Sequence, residues 1–388
     1  MGRRRPRRQI RRPPRRPPRP HPRPAPHRRH RHRRLPARED LPVTTARPPI
    51  RLDRNESPIP WERLEYLRLD PETIRRYPDD APLARAFAED LNLHPDFILP
   101  TNGGDEAIAL ALEHLVPDGG RIAIPVPTFS TFEVVCDRLP RTLLRIPCAQ
   151  DGAFPEKHLL DLCAQEQPEA VVLIDPNNPT GTPVPSGLPR LIRAAAPKTL
   201  IILDRAYADF ARLDNDAELL AADDRLVIIR SLSKSPGVAG LRIGALIGDS
   251  ETIAPAWESR LIFSVNSAAV ALGVEALRDT EARRRCVDAA DAARPILLDA
   301  LRNLGVPALA GPTNFVLARF GVAAADIVRN CAQQGLLLRD LSACPVFPGA
   351  VRITLAEPDT LRAALDILQP VAARALNRST ATEKSPAQ

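Results

Sequence analysis

Five short apolar runs, at residues 121–127, 171–175, 201–204, 226–231 and 242–248, constrain this chain more than any other feature. They are dense in Val, Ile and Leu at consecutive positions, a pattern that predicts strands buried on both faces. Most of the stretches between them have the length and composition of helices. A chain written this way folds as an α/β protein, with a mainly parallel sheet sandwiched by helices. In such sheets the polar chemistry gathers at the strand ends, where loops take over.

The texture of the remaining sequence divides the chain. Residues 1–49 are Arg, Pro and His with almost nothing to bury, and thirteen prolines among the first fifty residues forbid a continuous helix, so this segment is expected to be disordered. An N-terminal arm over 50–78 precedes a large domain over 79–280. A smaller α+β domain over 281–376 contains strand-like pieces at 314–320, 336–339 and 351–355 and two helical ones. A polar tail over 377–388 is expected to be disordered. Residues 82–93 predict a helix, and 98–105 a short strand and turn opening another. Residues 257–304 read as helical and Ala-rich, with 261–265 as the one strand-like run.

The net charge of +7 conceals an asymmetry. Residues 1–50 hold eighteen arginines and two acids, whereas the rest carries nine more acidic than basic side chains. The basic character therefore belongs to the tail, which reads either as a phosphate-binding or targeting arm or as a dispensable extension. It lacks interleaved aromatics, so no nucleic-acid partner is expected. Six cysteines without metal-ligand spacing suit reduced thiols in a cytoplasmic protein without a metal site. No apolar run reaches the roughly 18 residues of a membrane span, and the start lacks the apolar core of an export signal.

Specific polar groups punctuate the strand ends. Gly103 and Gly104 open a helix, where free backbone N–H groups and the helix dipole favour an anion. Asp175-Pro-Asn-Asn-Pro-Thr-Gly181 ends one run in a turn exposing Asn178. Asp204 ends the next, with Tyr207 three residues on. Then come Ser231, Ser233, Lys234 and, eight residues later, Arg242. Only four lysines stand against fifty arginines, so an amine at 234 suggests chemistry that guanidinium cannot perform, such as Schiff-base formation. A lysine among serines is by itself also a common surface loop.

Together, the N-N-P-T-G turn, the D-x-x-Y strand end and the S-x-S-K-(x)7-R segment resemble the fold-type I aminotransferases, which use pyridoxal 5'-phosphate (PLP). The likeness spans residues 50–368. The segments R-L-D-R-N-E-S-P, R-Y-P-D, N-G-G-D-E, A-G-L-R-I-G and L-R-D are similar to the histidinol-phosphate aminotransferase branch. The resemblance implies Lys234 as the amine that holds the cofactor's aldehyde and moves the proton. Asp204 would face the pyridine nitrogen, and Asn178 and Tyr207 the phenolic oxygen. Gly103, Gly104 and Asp105 would bind the phosphate with Ser231, Ser233 and Arg242. Phe129 would stack on the ring. Tyr77 would reach the phosphate of a second subunit, which implies a homodimer. Asn55, Arg339 and Arg352 would contact the amino substrate, the arginines through bidentate pairing.

Three features depart from the family pattern. Arg205 stands where D-E-A-Y has Glu, Asn-Glu-Ser-Pro-Ile-Pro lacks a tyrosine of the substrate pocket, and the basic tail has no counterpart. The expected activity is amino transfer between glutamate/2-oxoglutarate and an amino-phosphate such as histidinol phosphate. A threonine-phosphate-type decarboxylase and a transaminase of aromatic or secondary-metabolite substrates share the motifs.

Overall fold

The computed structural model describes residues 48–383, with side chains to 378. The first strand, β1 (Ile50–Leu52), precedes the seven that form the large sheet: β2 (Ile98–Thr101), β3 (Arg121–Val126), β4 (Thr142–Pro147), β5 (Ala170–Ile174), β6 (Leu200–Asp204), β7 (Leu226–Ser231) and β8 (Gly244–Gly248). Their spatial order is β2-β8-β7-β6-β5-β3-β4. Strands β3 to β7 pair in parallel, and β8 joins antiparallel to both β7 and β2.

Alternation along the strands explains why the sheet is covered on both sides. Ile201 and Leu203 of β6, with Leu226 and Ile228 of β7, pack into one apolar layer under the helices Ala81–Leu91, Glu156–Glu166, Leu188–Ala195 and Ser267–Arg278. Leu200, Ile202, Val227 and Ile229 point the other way, toward the helices Gly104–Leu110, Ser130–Cys136 and Ser250–Ser259. Both faces are apolar, so neither can meet water.

Four strands close the chain's second sheet: β9 (Ala308–Ala310), β10 (Phe315–Arg319), β11 (Leu336–Leu341) and β12 (Ala350–Thr354). The order is β1-β11-β12-β10-β9, with β1 parallel to β11 and the other pairs antiparallel. The N-terminal segment thus supplies an edge strand to a sheet built from the last third of the chain. Helices Thr280–Asn303, Ala324–Gln333 and Pro358–Glu383 cover it. The two sheets meet closely at Gly181 and Gly311, where a Cβ on Gly311 would overlap the Gly181 carbonyl oxygen.

Four readings change. Residues 261–265 form a turn, with Leu261, Ile262 and Phe263 at 75%, 74% and 50% exposure; β propensity does not make a strand without an edge to pair with. The final helix carries Pro370 inside it and runs to Glu383 rather than stopping near 377, because no Gly or Pro stands between Pro370 and Glu383 to end it. Strand β4, with Arg and Pro in its run, carries no clean alternation, and its pairing with β3 creates it. Arg242 precedes its strand, at φ 54 in the left-handed region. The expected disordered segment over residues 1–49 falls almost wholly outside the described residues.

Gly311→Ala should lower stability by about 3 kcal/mol or more, read as a lower urea midpoint at unchanged slope.

Candidate active site

The carboxyl ends of four parallel strands open on one side of the large sheet. Phe129 follows β3, Asn178 follows β5, Asp204 ends β6, and Ser231 ends β7, with Lys234 three residues later. Arginines and loops of the small sheet face them.

The loop after β2 forms the anion-binding side. Gly103 sits at φ 80, open to glycine, and a Cβ there would stand 2.5 Å from Arg242 Nη2. The missing side chain is what lets the guanidinium lie against the backbone. Arg242 also donates to Asp105 Oδ2 at 3.0 Å and to Ser233 Oγ at 3.2 Å. Thr131 Oγ1 donates to Asp105 Oδ1 at 3.2 Å, so the Asp105 side chain is spent on aiming its neighbours. Ser231 Oγ accepts from the Ser233 N–H at 3.2 Å, keeping both hydroxyls at the mouth of the helix Gly104–Leu110.

Two groups with displaced pKa values stand beyond this loop. Burial, with Arg352 nearby, lowers Lys234 to about 8, so its amine is readily neutral. Its Nζ donates to the Arg54 carbonyl at 3.2 Å and lies 5.9 Å from the Tyr207 ring centroid. Burial pushes Asp204 up to about 6, opposed by the Ala206 N–H that donates to it at 3.0 Å. A buried carboxylate of this kind gains most from a cationic partner.

Tyr207 is buried, edge-on to Phe315 at 5.3 Å, and its phenol is shifted upward by burial. Its oxygen accepts from Asn55 Nδ2 at 2.9 Å. Asn178 Oδ1 accepts from Arg352 Nη1 at 2.7 Å, and Arg352 Nη2 donates to the Asp53 carbonyl at 2.9 Å. Burial lowers Arg352 to about 10, with Arg339 adding to the effect. Arg339 is its register partner on β11 and is exposed. The cleft is therefore positively charged on the small-sheet side.

The structure thus gathers Gly103, Gly104, Asp105, Asn178, Asp204, Tyr207, Ser231, Ser233, Lys234, Arg242, Arg339 and Arg352 around one cleft. Phe129 is half-buried at the start of the helix Ser130–Cys136, against the apolar layer that contains Val126. Asn55 is 1% exposed, with its amide engaged by Tyr207 and Thr354. Tyr77 is not brought to the cleft; it is 81% exposed and stacks on Phe263 at 4.5 Å. Among the described residues, no group of His, Cys, Asp and Glu could hold a metal.

A cofactor with an aldehyde, a basic ring nitrogen and a phosphate matches this donor set. The glycine-lined cradle with Arg242 suits the phosphate, the buried Asp204 a protonated nitrogen, and the low-pKa amine an aldehyde.

A buried charge cluster behind the strand ends went unread in the sequence. Alternation turns Arg205 to the face opposite Asp204. There its guanidinium pairs with Asp216, donates to Asn215 Oδ1 at 2.9 Å and stands 3.6 Å from Asp175. Arg230 of β7 completes the group, 3.6 Å from Asp216 and 3.7 Å from Asp209. Arg205 therefore ties the ends of β5, β6 and β7 together just behind Asn178, Asp204 and Ser231. The signal was a second ionisable residue, Arg205, directly after the Asp204 that ends an otherwise apolar strand.

Two outcomes follow from the burial of these charges. Arg205→Met should cost about 3–5 kcal/mol in urea unfolding, because Asp175 would stay buried without its cation and Asp216 would keep only Arg230. The folded apoprotein holds the Asp204 proton more tightly than the unfolded chain, so this group's contribution to stability falls as pH rises from about 3.8 to about 6. Asp204→Asn should remove that dependence and raise apoprotein stability at pH 7 by about 3 kcal/mol.

The family model for aminotransferase class I and II matches residues 65–368. The histidinol-phosphate aminotransferase of Symbiobacterium thermophilum is 30% identical over 328 residues, 82% of this chain and 90% of that protein. The structure of histidinol-phosphate aminotransferase from Sinorhizobium meliloti, in complex with pyridoxal-5'-phosphate, superposes with a TM-score of 0.76 at 24% identity, covering 84% of this chain and 91% of that one. L-threonine-O-3-phosphate decarboxylase from Porphyromonas gingivalis has the same fold, with a TM-score of 0.68 at 21% identity over 86% of this chain and 99% of that one. A match across both sheets, with a neutralisable lysine at their junction, carries one conclusion: the chain belongs to the class I and II aminotransferase family.

Proposed function

We propose that this PLP-dependent aminotransferase moves an amino group between glutamate/2-oxoglutarate and histidinol phosphate, within histidine biosynthesis in the cytoplasm. The observation that carries the reading is the low-pKa amine of Lys234 near the Arg352 guanidinium, whose register partner Arg339 adds a second cation suited to an anionic amino substrate. The curated relatives named for histidinol phosphate supply the substrate.

Bound pyridoxal phosphate supplies an aldehyde that takes up the amino group and a ring that accepts the electron pair released at the substrate carbon. The chain's residues do the rest. Lys234 would hold the cofactor's aldehyde through Nζ, and the same low-pKa amine, when free, would serve as the proton carrier. Asp204 keeps the ring nitrogen protonated. Asn178, oriented by Arg352, and Tyr207 donate to the phenolic oxygen, while Phe129 covers the ring. Gly103, Gly104 and Asp105 offer backbone N–H groups to the phosphate, flanked by Ser231, Ser233 and Arg242. Arg339 and Arg352 hold the carboxylate or phosphate of the amino partner.

A homodimer completes this site. Tyr77 and Phe263 stack on the exterior, with Ile74, Leu261 and Ile262 exposed in the same two segments, an apolar surface suited to a second copy. Tyr77 would reach the partner's phosphate site. No helix among the described residues is long and apolar enough to cross a membrane.

Mixing the holoprotein with L-glutamate should bleach the cofactor's visible band, and histidinol phosphate should do so at lower concentration than aromatic amino acids. Release of CO2 from threonine phosphate without a keto-acid requirement would replace amino transfer by decarboxylation. Lys234→Ala should lower turnover by on the order of a thousandfold. Uptake of the cofactor by the apoprotein should speed up as pH rises through about 8, where the Lys234 amine loses its proton. Arg339→Ala and Arg352→Ala should each raise KM for the amino-phosphate about tenfold or more.

A further inference from the structure

We infer that Asn55 and Thr354 are positioning residues for Tyr207, turning its phenolic hydrogen toward the cofactor. The inference rests on the functional reading above and gives Asn55 a role other than touching substrate.

Asn55 lies at φ 52, in the left-handed region that asparagine tolerates, and is 1% exposed. Its surroundings dictate the direction of each hydrogen bond. The Asn55 backbone N–H donates to Thr354 Oγ1 at 3.0 Å. That hydroxyl also lies 3.2 Å from Asn55 Oδ1, the carbonyl end of the amide. A hydroxyl has one hydrogen and two lone pairs. With a lone pair taken by the N–H, its hydrogen goes to Oδ1. A flipped amide would set two donors against the same hydroxyl and leave its hydrogen without that carbonyl. Nδ2 therefore faces Tyr207 and donates to the phenol oxygen at 2.9 Å. The phenol, acting as acceptor toward Asn55, keeps its own hydrogen for an acceptor in the cleft.

The relay is braced from a third side. Asn314 Nδ2 donates to the Asn55 carbonyl at 3.1 Å and to the Glu56 carbonyl at 2.9 Å, holding the loop in place. Thr354 ends β12 of the small sheet and Tyr207 follows β6 of the large one. The direction of the phenolic hydrogen therefore depends on both sheets being in place.

A donor at the cofactor's phenolic oxygen draws off part of its negative charge. Without it, that charge would hold the proton on the Lys234 nitrogen beside it more tightly, and the pH midpoint of the visible absorbance change would rise. The test uses the holoenzyme and its Asn55→Asp, Thr354→Val, Thr354→Ser and Tyr207→Phe variants. The carboxylate introduced by Asn55→Asp accepts the phenolic hydrogen and pulls it out of the cleft. Asn55→Asp and Thr354→Val should raise the midpoint by about one pH unit and lower kcat about tenfold, with KM for the amino donor within about twofold of the parent. Thr354→Ser, which keeps the hydroxyl, should match the parent. Asn55→Asp placed on Tyr207→Phe should add no further shift.

An unmoved midpoint with a raised KM would make Asn55 a substrate contact and overturn the inference. So would a lower melting temperature with the midpoint unmoved, which would leave the pair merely structural. A parent protein that takes up no pyridoxal phosphate would overturn the functional reading and this inference together, whereas an unmoved midpoint in a protein that binds it overturns this inference alone.

Discussion

The large sheet is apolar on both faces, and that constraint governs where every charged group of the site can stand. Between Leu200 and Leu203, or Leu226 and Ile229, no ionisable side chain could be accommodated without leaving a charge unsolvated. Polar residues are therefore displaced to the strand ends, and the parallel strands bring Asn178, Asp204 and Ser231 out on the same edge. The same apolar environment acts on the groups it expels. Lys234 is pushed toward its neutral form and Asp204 toward its protonated one, so each is destabilised until a partner arrives.

Arg205 illustrates how the fold absorbs an unusual residue. A guanidinium following Asp204 faces the far side of the sheet, where Asp216 and Asp175 surround it. Such a buried cluster adds little net stability over an apolar packing, because desolvation offsets the attraction. Its effect is geometric. The strand ends beside Asn178, Asp204 and Ser231 are held at set spacing by charges that cannot part without leaving one unpaired.

The small sheet enters the chemistry through two direct contacts. Arg352 reaches over to Asn178, and the Asn55–Thr354 pair reaches Tyr207. The close approach of Gly181 and Gly311 keeps the sheets near enough for both. The N-terminal strand β1 pairs with β11, which places Asn55, three residues beyond its end, between the two sheets. The Arg352–Asn178 contact and the Asn55–Tyr207 contact thus share one junction.

Much of this was legible in the residues. Runs of consecutive Ile, Leu and Val specify a doubly covered sheet, because no other architecture hides both faces of such strands. The rarity of lysine marked Lys234, and the spacing of Asn178, Asp204, Tyr207 and Arg242 carried the family. Local sequence could not show which buried groups would meet. Tyr77 faces outward against Phe263, the run at 261–265 pairs with no strand, and Asn55 is buried under Tyr207 and Thr354. Each outcome depends on neighbours far along the chain: 152 residues separate Asn55 from Tyr207 and 299 separate it from Thr354. The amino-acid sequence by itself determined the layers and the chemical groups, since burial and periodicity are local. Only the tertiary structure decided their hydrogen-bond partners and protonation, since those depend on which chains of atoms folding brings within about 3 Å.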